Sequence, residues 1–169
     1  MLRFFLSSSF VLLCSALLEN AVLSNLMFLP AIPDISLLCI IYFAVHNGTL
    51  CGEGSGFISG IILDFLSAGP FGLNCLLRPI IGYIAGLFYK IVNIEGFLLP
   101  LFLGFLGTLL KALLLFVISL LYPNAMIYFN PFSWQFLIQL GFNTILAPFV
   151  FMFLNIFKKS LVLKPETNI

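Results

Sequence analysis

The sequence predicts an all-α, polytopic membrane protein, a single domain of 169 residues folded as a six-helix transmembrane bundle. Three observations carry that prediction. Hydrophobic residues make up 62% of the chain and charged residues 8%, against about 45–50% and about 25% in ordinary globular proteins. Mean hydropathy is +1.22, so polar side chains are too few to coat a soluble globule, and the composition is the reverse of a disordered one. Six long apolar stretches also alternate with turn-forming segments. At about 20 residues per span, six spans take about 120 residues and leave no room for an extramembrane catalytic domain. These stretches are apolar on every face, whereas a membrane barrel shows alternation.

The first span covers about 4–23. Arg3 followed by an apolar run resembles a signal peptide, but no A-x-A-like site follows. VLLC ending at Cys14 has Leu13 where a lipoprotein box needs a small residue, so the segment reads as a retained span. The second span, about 28–46, is interrupted by Pro30 and Pro33, and its regular helix is expected to begin at Asp34. A glycine-rich third span covers about 49–66 and a fourth about 71–89. The fifth, about 96–121, is long enough to tilt. The sixth, about 131–157, carries no charge and leads into a short tail, 158–169. SNLMFLPAIP, HNGT, SAGP, NIEG and YPNAMIYFNP separate them.

The basic residues set the orientation. Arg3, Lys90, Lys158, Lys159 and Lys164 fall on one side of a six-span path, and the opposite loops (24–33, 67–70 and 122–130) hold no Lys or Arg. Both termini are therefore expected in the cytoplasm. A net charge of +1 gives no field for steering nucleic acid. Cys14, Cys39, Cys51 and Cys75 form no CxxC pair and read as small apolar side chains. Gly52, Gly56 and Gly60 share one face of span three, and Gly82 and Gly86 repeat the spacing in span four. Such faces allow backbone contact, either inside the bundle or in a homodimer. GEGSG at 52–56 has neither the spacing nor the context of a nucleotide loop.

Charges inside spans carry the most information, because each must face protein or water. Arg78 and Lys111 are two such residues. Asp64, across the short SAGPFGL turn, is the expected partner of Arg78. Glu19 and Asp34 lie near the outer ends of spans one and two. This outer gathering of three acids and two bases is either an internal network that fixes helix packing or a hydrated pocket that opens outward and binds a solute. His46 reads as an interfacial turn residue, and Glu53 as an acid that snorkels to the cytoplasmic surface. Trp134 and Tyr128 suit an interfacial belt. With one His, no His/Cys metal cluster and no GxSxG elbow, neither a catalytic set nor a cofactor is expected.

Residues 33–90 run PDISLLCIIYFAVHNGTLCGEGSGFISGIILDFLSAGPFGLNCLLRPIIGYIAGLFYK. Pro33 and Asp34 open a helix; Gly48 marks a turn; a helix with Gly52, Gly56 and Gly60 ends at Asp64; then come Ser67, Gly69, Pro70, Gly72 and Asn74. This pattern resembles the MreD family of bacterial rod-shape-determining membrane proteins. The resemblance implies a non-enzymatic scaffold in the inner membrane. Its partners would be an MreC-like protein, RodA, a transpeptidase and, indirectly, MreB, with surrounding membrane lipid and no nucleic acid. Asp34, Asp64, Gly69, Pro70, Gly72, Asn74 and Arg78 become structural or partner-surface candidates. The family is also similar in fold to substrate-binding subunits of energy-coupling-factor transporters, which makes vitamin-type solute binding the alternative. The A-x-x-x-A docking motif of those subunits is missing, since Ala16 and Ala21 are five apart. A reporter active only outside the membrane, fused after Lys159, should be silent; strong activity there would rule out the six-span, both-ends-in path.

Overall fold

The computed structural model describes residues 1–25, 30–67, 69–92, 96–122 and 133–163. The expectations for Tyr128 and Lys164 fall outside these residues. Every regular element among them is helical. α1 (Leu2–Leu17) continues through a π-helical turn (Leu18–Val22) and a 3-10 turn (Leu23–Asn25); α2 is Ile35–Asn47, α3 Thr49–Leu66, α4 Leu73–Gly86, α5 Leu98–Leu121, α6 Trp134–Ile156 and α7 Lys158–Leu161. Among the described residues, four helical segments are long and apolar enough to cross a membrane: Leu2–Asn25, Thr49–Leu66, Leu98–Leu121 and Trp134–Ile156. The other two apolar helices, α2 and α4, are shorter.

α2 is the central post. Its residues from Ser36 to Val45 are all buried, and α1, α3, α4, α5 and α6 all pack against it. A helix apolar on every face is the sequence form of a fully enclosed helix. Pro30 and Pro33 keep the preceding segment out of the helix, so α2 starts after Asp34, later than the apolar run suggests. A single residue, Gly48, links α2 to α3 at φ +90°, where a side chain would be strained.

α3 and α4 meet at backbone distance. A Cβ on Gly56 would lie 2.5 Å from the Arg78 carbonyl oxygen, and one on Gly60 2.6 Å from that of Asn74. Gly52 and Gly82 face each other so closely that a Cβ on either would strike the other's carbonyl, and one on Gly86 would lie 2.5 Å from Thr49 Cα. The glycine faces of both helices are thus occupied by each other within one chain, not left open for a second copy.

Phe4 packs edge-on to Phe43 with ring centroids 5.8 Å apart, which sets the start of α1 beside the end of α2. The start of the 158–169 tail is not free. Asn47 Nδ2 donates to the Leu161 carbonyl at 2.9 Å, Leu163 N donates to Asn47 Oδ1 at 2.7 Å, and Leu161 is buried. One end of the bundle therefore gathers the N-terminus of α1, the C-terminus of α2 and α7.

Gly56→Leu should push α3 from α4 and lower stability by about 1–3 kcal/mol or more, read as reduced accumulation and a lower melting temperature in detergent. Gly141→Ala, where a Cβ meets nothing within 4 Å, should melt no lower than the parent. Equal behaviour of the two variants would remove the packing role assigned to Gly56.

Candidate functional site

Asp34 sits at the N-cap of α2, where helix N–H groups lack partners. Its Oδ1 accepts from Leu37 N at 2.9 Å, while its own N–H donates to Asn143 Oδ1 at 2.8 Å. Two cations converge on the same carboxylate. Arg78 Nη2 lies 2.7 Å from Oδ1, and Lys111 Nζ 2.5 Å from Oδ2. The second guanidinium nitrogen, Nη1, donates to Ser36 Oγ and Ser59 Oγ, each at 3.0 Å. Ser36 continues the network to α1, its N–H donating to Glu19 Oε1 and its hydroxyl lying 3.2 Å from Oε2. On the far side, Asn143 Nδ2 donates to Thr108 Oγ1 at 3.0 Å. Side chains from α3, α4, α5, α6 and the end of α1 thus meet at the head of α2.

Burial is deep: Arg78 is 3% exposed, Asp34 5% and Glu19 6%, whereas Lys111 is 21% exposed. Two acids and two bases make the cluster formally neutral. Removing one member would strand a charge in a low-dielectric setting, which costs more than the pair itself contributes. The cluster forms the base of a cavity of about 180 Å³ that also touches Asn74 and Gln139. Small-molecule sites usually measure about 300–1,000 Å³, so this one has room for water or a single side chain.

Asp64 does not pair with Arg78. Its carboxylate instead accepts from Gly72 N, Asn74 N and Cys75 N at 3.0 Å each, and from Asn74 Nδ2 at 2.9 Å. It caps α4 from across the turn, where orphan N–H groups and the positive helix end favour a carboxylate. Arg78 lies more than a turn deeper and faces α2. The Asn74 amide serves Asp64 in place of the helix backbone, and Gly72 holds φ +91° at the turn. Pro70 accepts from Leu73 N at 3.2 Å, and Gly69 is exposed. Asp64, Gly72, Asn74 and Cys75 therefore form a corner of their own, next to the Asp34 cluster but separate from it. His46 joins neither; its Nδ1 lies 2.9 Å from the Tyr42 carbonyl oxygen and its ring stacks near that of Tyr42.

A sequence profile described as rod shape-determining protein MreD matches residues 1–157. The chain belongs to the MreD family. No curated protein and no solved structure matches it. With its long apolar helices, this MreD-family chain is an integral membrane protein of a rod-shape-determining family. Ser36, Ser59, Thr108 and Asn143, which hold the cluster, were not singled out from the sequence. The available signal was a polar side chain inside an apolar run, clearest for Asn143 in the uncharged sixth stretch.

Asp34→Ala should cost this MreD-family protein about 3–5 kcal/mol, because it strands Arg78 and uncaps α2. Asp34→Asn combined with Arg78→Met should recover much of that loss. Asp64→Ala should cost about 0.5–2 kcal/mol, as a lost cap does, and adding Arg78→Leu should not rescue it. Melting in detergent and protein level in cells report both pairs, and rescue of Asp64→Ala by Arg78→Leu would contradict the pairing seen here.

Proposed function

We propose that this chain is a non-catalytic membrane scaffold of the bacterial wall-elongation (rod) complex. On this reading it acts in cell-shape control by holding partners together in the inner membrane. The carrying observation is the Asp34 cluster. Its charged groups are spent on one another and on side chains from the five elements around the head of α2, which suits a rigid platform. An MreC-like protein is the proposed direct partner, with RodA and a transpeptidase in the same assembly and MreB engaged indirectly. Six crossings with both ends in the cytoplasm are supported by Arg3, Lys158 and Lys159 lying at one end of the bundle, the end where α7 returns to α1 and α2. The corner built on Asp64, Gly72 and Asn74 would then face outward as a firm surface. The polar cavity over the Asp34 cluster lends solute binding little support, because its volume is below the usual range for small-molecule sites.

Depletion in a rod-shaped host, followed by microscopy and by copurification with the MreC-like protein, tests the proposal. Rounding of cells together with copurification is the expected result. Normal shape with a new vitamin requirement would replace the scaffold with a transporter subunit.

A further inference from the structure

We propose that the groove between α1 and α6 is a binding site for an anionic phospholipid of the cytoplasmic leaflet. The groove has a volume of about 680 Å³. Its walls include Ser7 and Cys14 from α1, Leu18 from the π-helical turn that continues it, and Phe149 and Phe153 from α6, with Cys39 of α2 on the floor. Nearly all of the surface is hydrocarbon or sulfur, and both walls belong to helices long enough to span a bilayer.

Length decides what fits. Ser7 and Leu18 are eleven residues apart, or roughly 16 Å along a helix. That is about half of a hydrocarbon core about 30 Å thick. A partner's transmembrane helix needs a track along the whole core, whereas lipid tails from one leaflet need half. Ile35, at the start of α2, lines the groove at the end away from Ser7.

Charge decides which lipid. The mouth lined by Ser7, Phe157 and Ser160 lies at the basic end of the molecule. Arg3 is one turn before Ser7, and Lys158 and Lys159 lie between the groove residues Phe157 and Ser160. All three are exposed, and none forms an ion pair among the described residues. The mouth is narrowed by the Ser7 hydroxyl, which lies 2.5 Å from the Arg3 carbonyl oxygen and 3.5 Å from that of Ser160. Basic pockets between helices at the cytoplasmic surface suit anionic headgroups. Tails in the groove put a phosphate beside these three side chains. The choice of leaflet rests on the proposed orientation; the choice of lipid does not.

The test uses the purified full chain in detergent with phosphatidylglycerol or phosphatidylcholine of identical tails, read by native mass spectrometry and by melting. Phosphatidylglycerol should be retained preferentially and should raise the melting temperature more. Each of Arg3→Gln, Lys158→Gln and Lys159→Gln should weaken that retention roughly fivefold. These positions are exposed, so their variants will fold. Cys14→Trp should fill the groove and displace both lipids. In the parent, phosphatidylglycerol should also slow maleimide labelling of Cys14, resolved by peptide mapping, which needs no variant. Equal retention of the two lipids, unchanged preference in the triple Gln variant, or labelling of Cys14 unaffected by lipid would each overturn the proposal. So would crosslinking of Cys14 to a partner's helix in the native complex. The scaffold reading is untouched by those results, because shape and copurification decide it separately.

Discussion

One carboxylate holds together the end of the bundle at which α2 begins. Asp34 accepts Arg78 and Lys111 at its two oxygens while capping α2 and hydrogen-bonding Asn143 through its backbone. In water such contacts would be worth little, but out of water each charge depends on the others. The arrangement is directional as well as neutral. A guanidinium fork can satisfy a carboxylate and two hydroxyls at fixed angles, so the rotation of α4 about its axis is tied to α2 and α3 together. Lys111, flexible and partly exposed, tolerates more freedom for α5.

Close packing of α3 on α4 is the condition for that geometry. Arg78 reaches α2 only because Gly56 and Gly60 let its helix lie against α3, and the main-chain atoms beside Gly56 are those of Arg78 itself. The glycine face and the ion pair are therefore one device. Small residues bring the helices together without a hydrophobic drive between them in lipid, and the charges then select a single rotational setting.

Much of this was legible in the residues, and the errors have physical causes. Composition and run length are enough to assign a helical membrane protein, and Pro33–Asp34 marks the start of α2 because a proline followed by a capping acid is a local signal. The glycine spacing likewise marks a face, since four-residue periodicity is geometric. Partner choice is another matter. Asp64 is the acid closest to Arg78 in sequence, yet the rotation of α4 points the guanidinium at Asp34, 44 residues earlier. Rotation depends on packing over the whole helix and leaves no local trace. The neutral members of the cluster were harder still, because Ser and Thr within apolar runs often bond their own helix backbone, as Ser55 does here.

The shortness of α2 has a consequence for the chain just before it. Thirteen helical residues reach roughly 20 Å, well short of a core about 30 Å thick. On the proposed orientation, with its C-terminal end at the basic surface, the other end would stop at membrane depth, and residues 30–34 would continue outward as irregular backbone. Hydrocarbon does not tolerate unpaired peptide groups there unless protein encloses them and supplies partners. α6 supplies two, through the Asn143 amide to the N–H of Asp34 and the Gln139 amide to the carbonyl of Ile32. Two side chains of one helix thus stand in for the missing turns of another, and the point at which α2 begins is held from across the bundle.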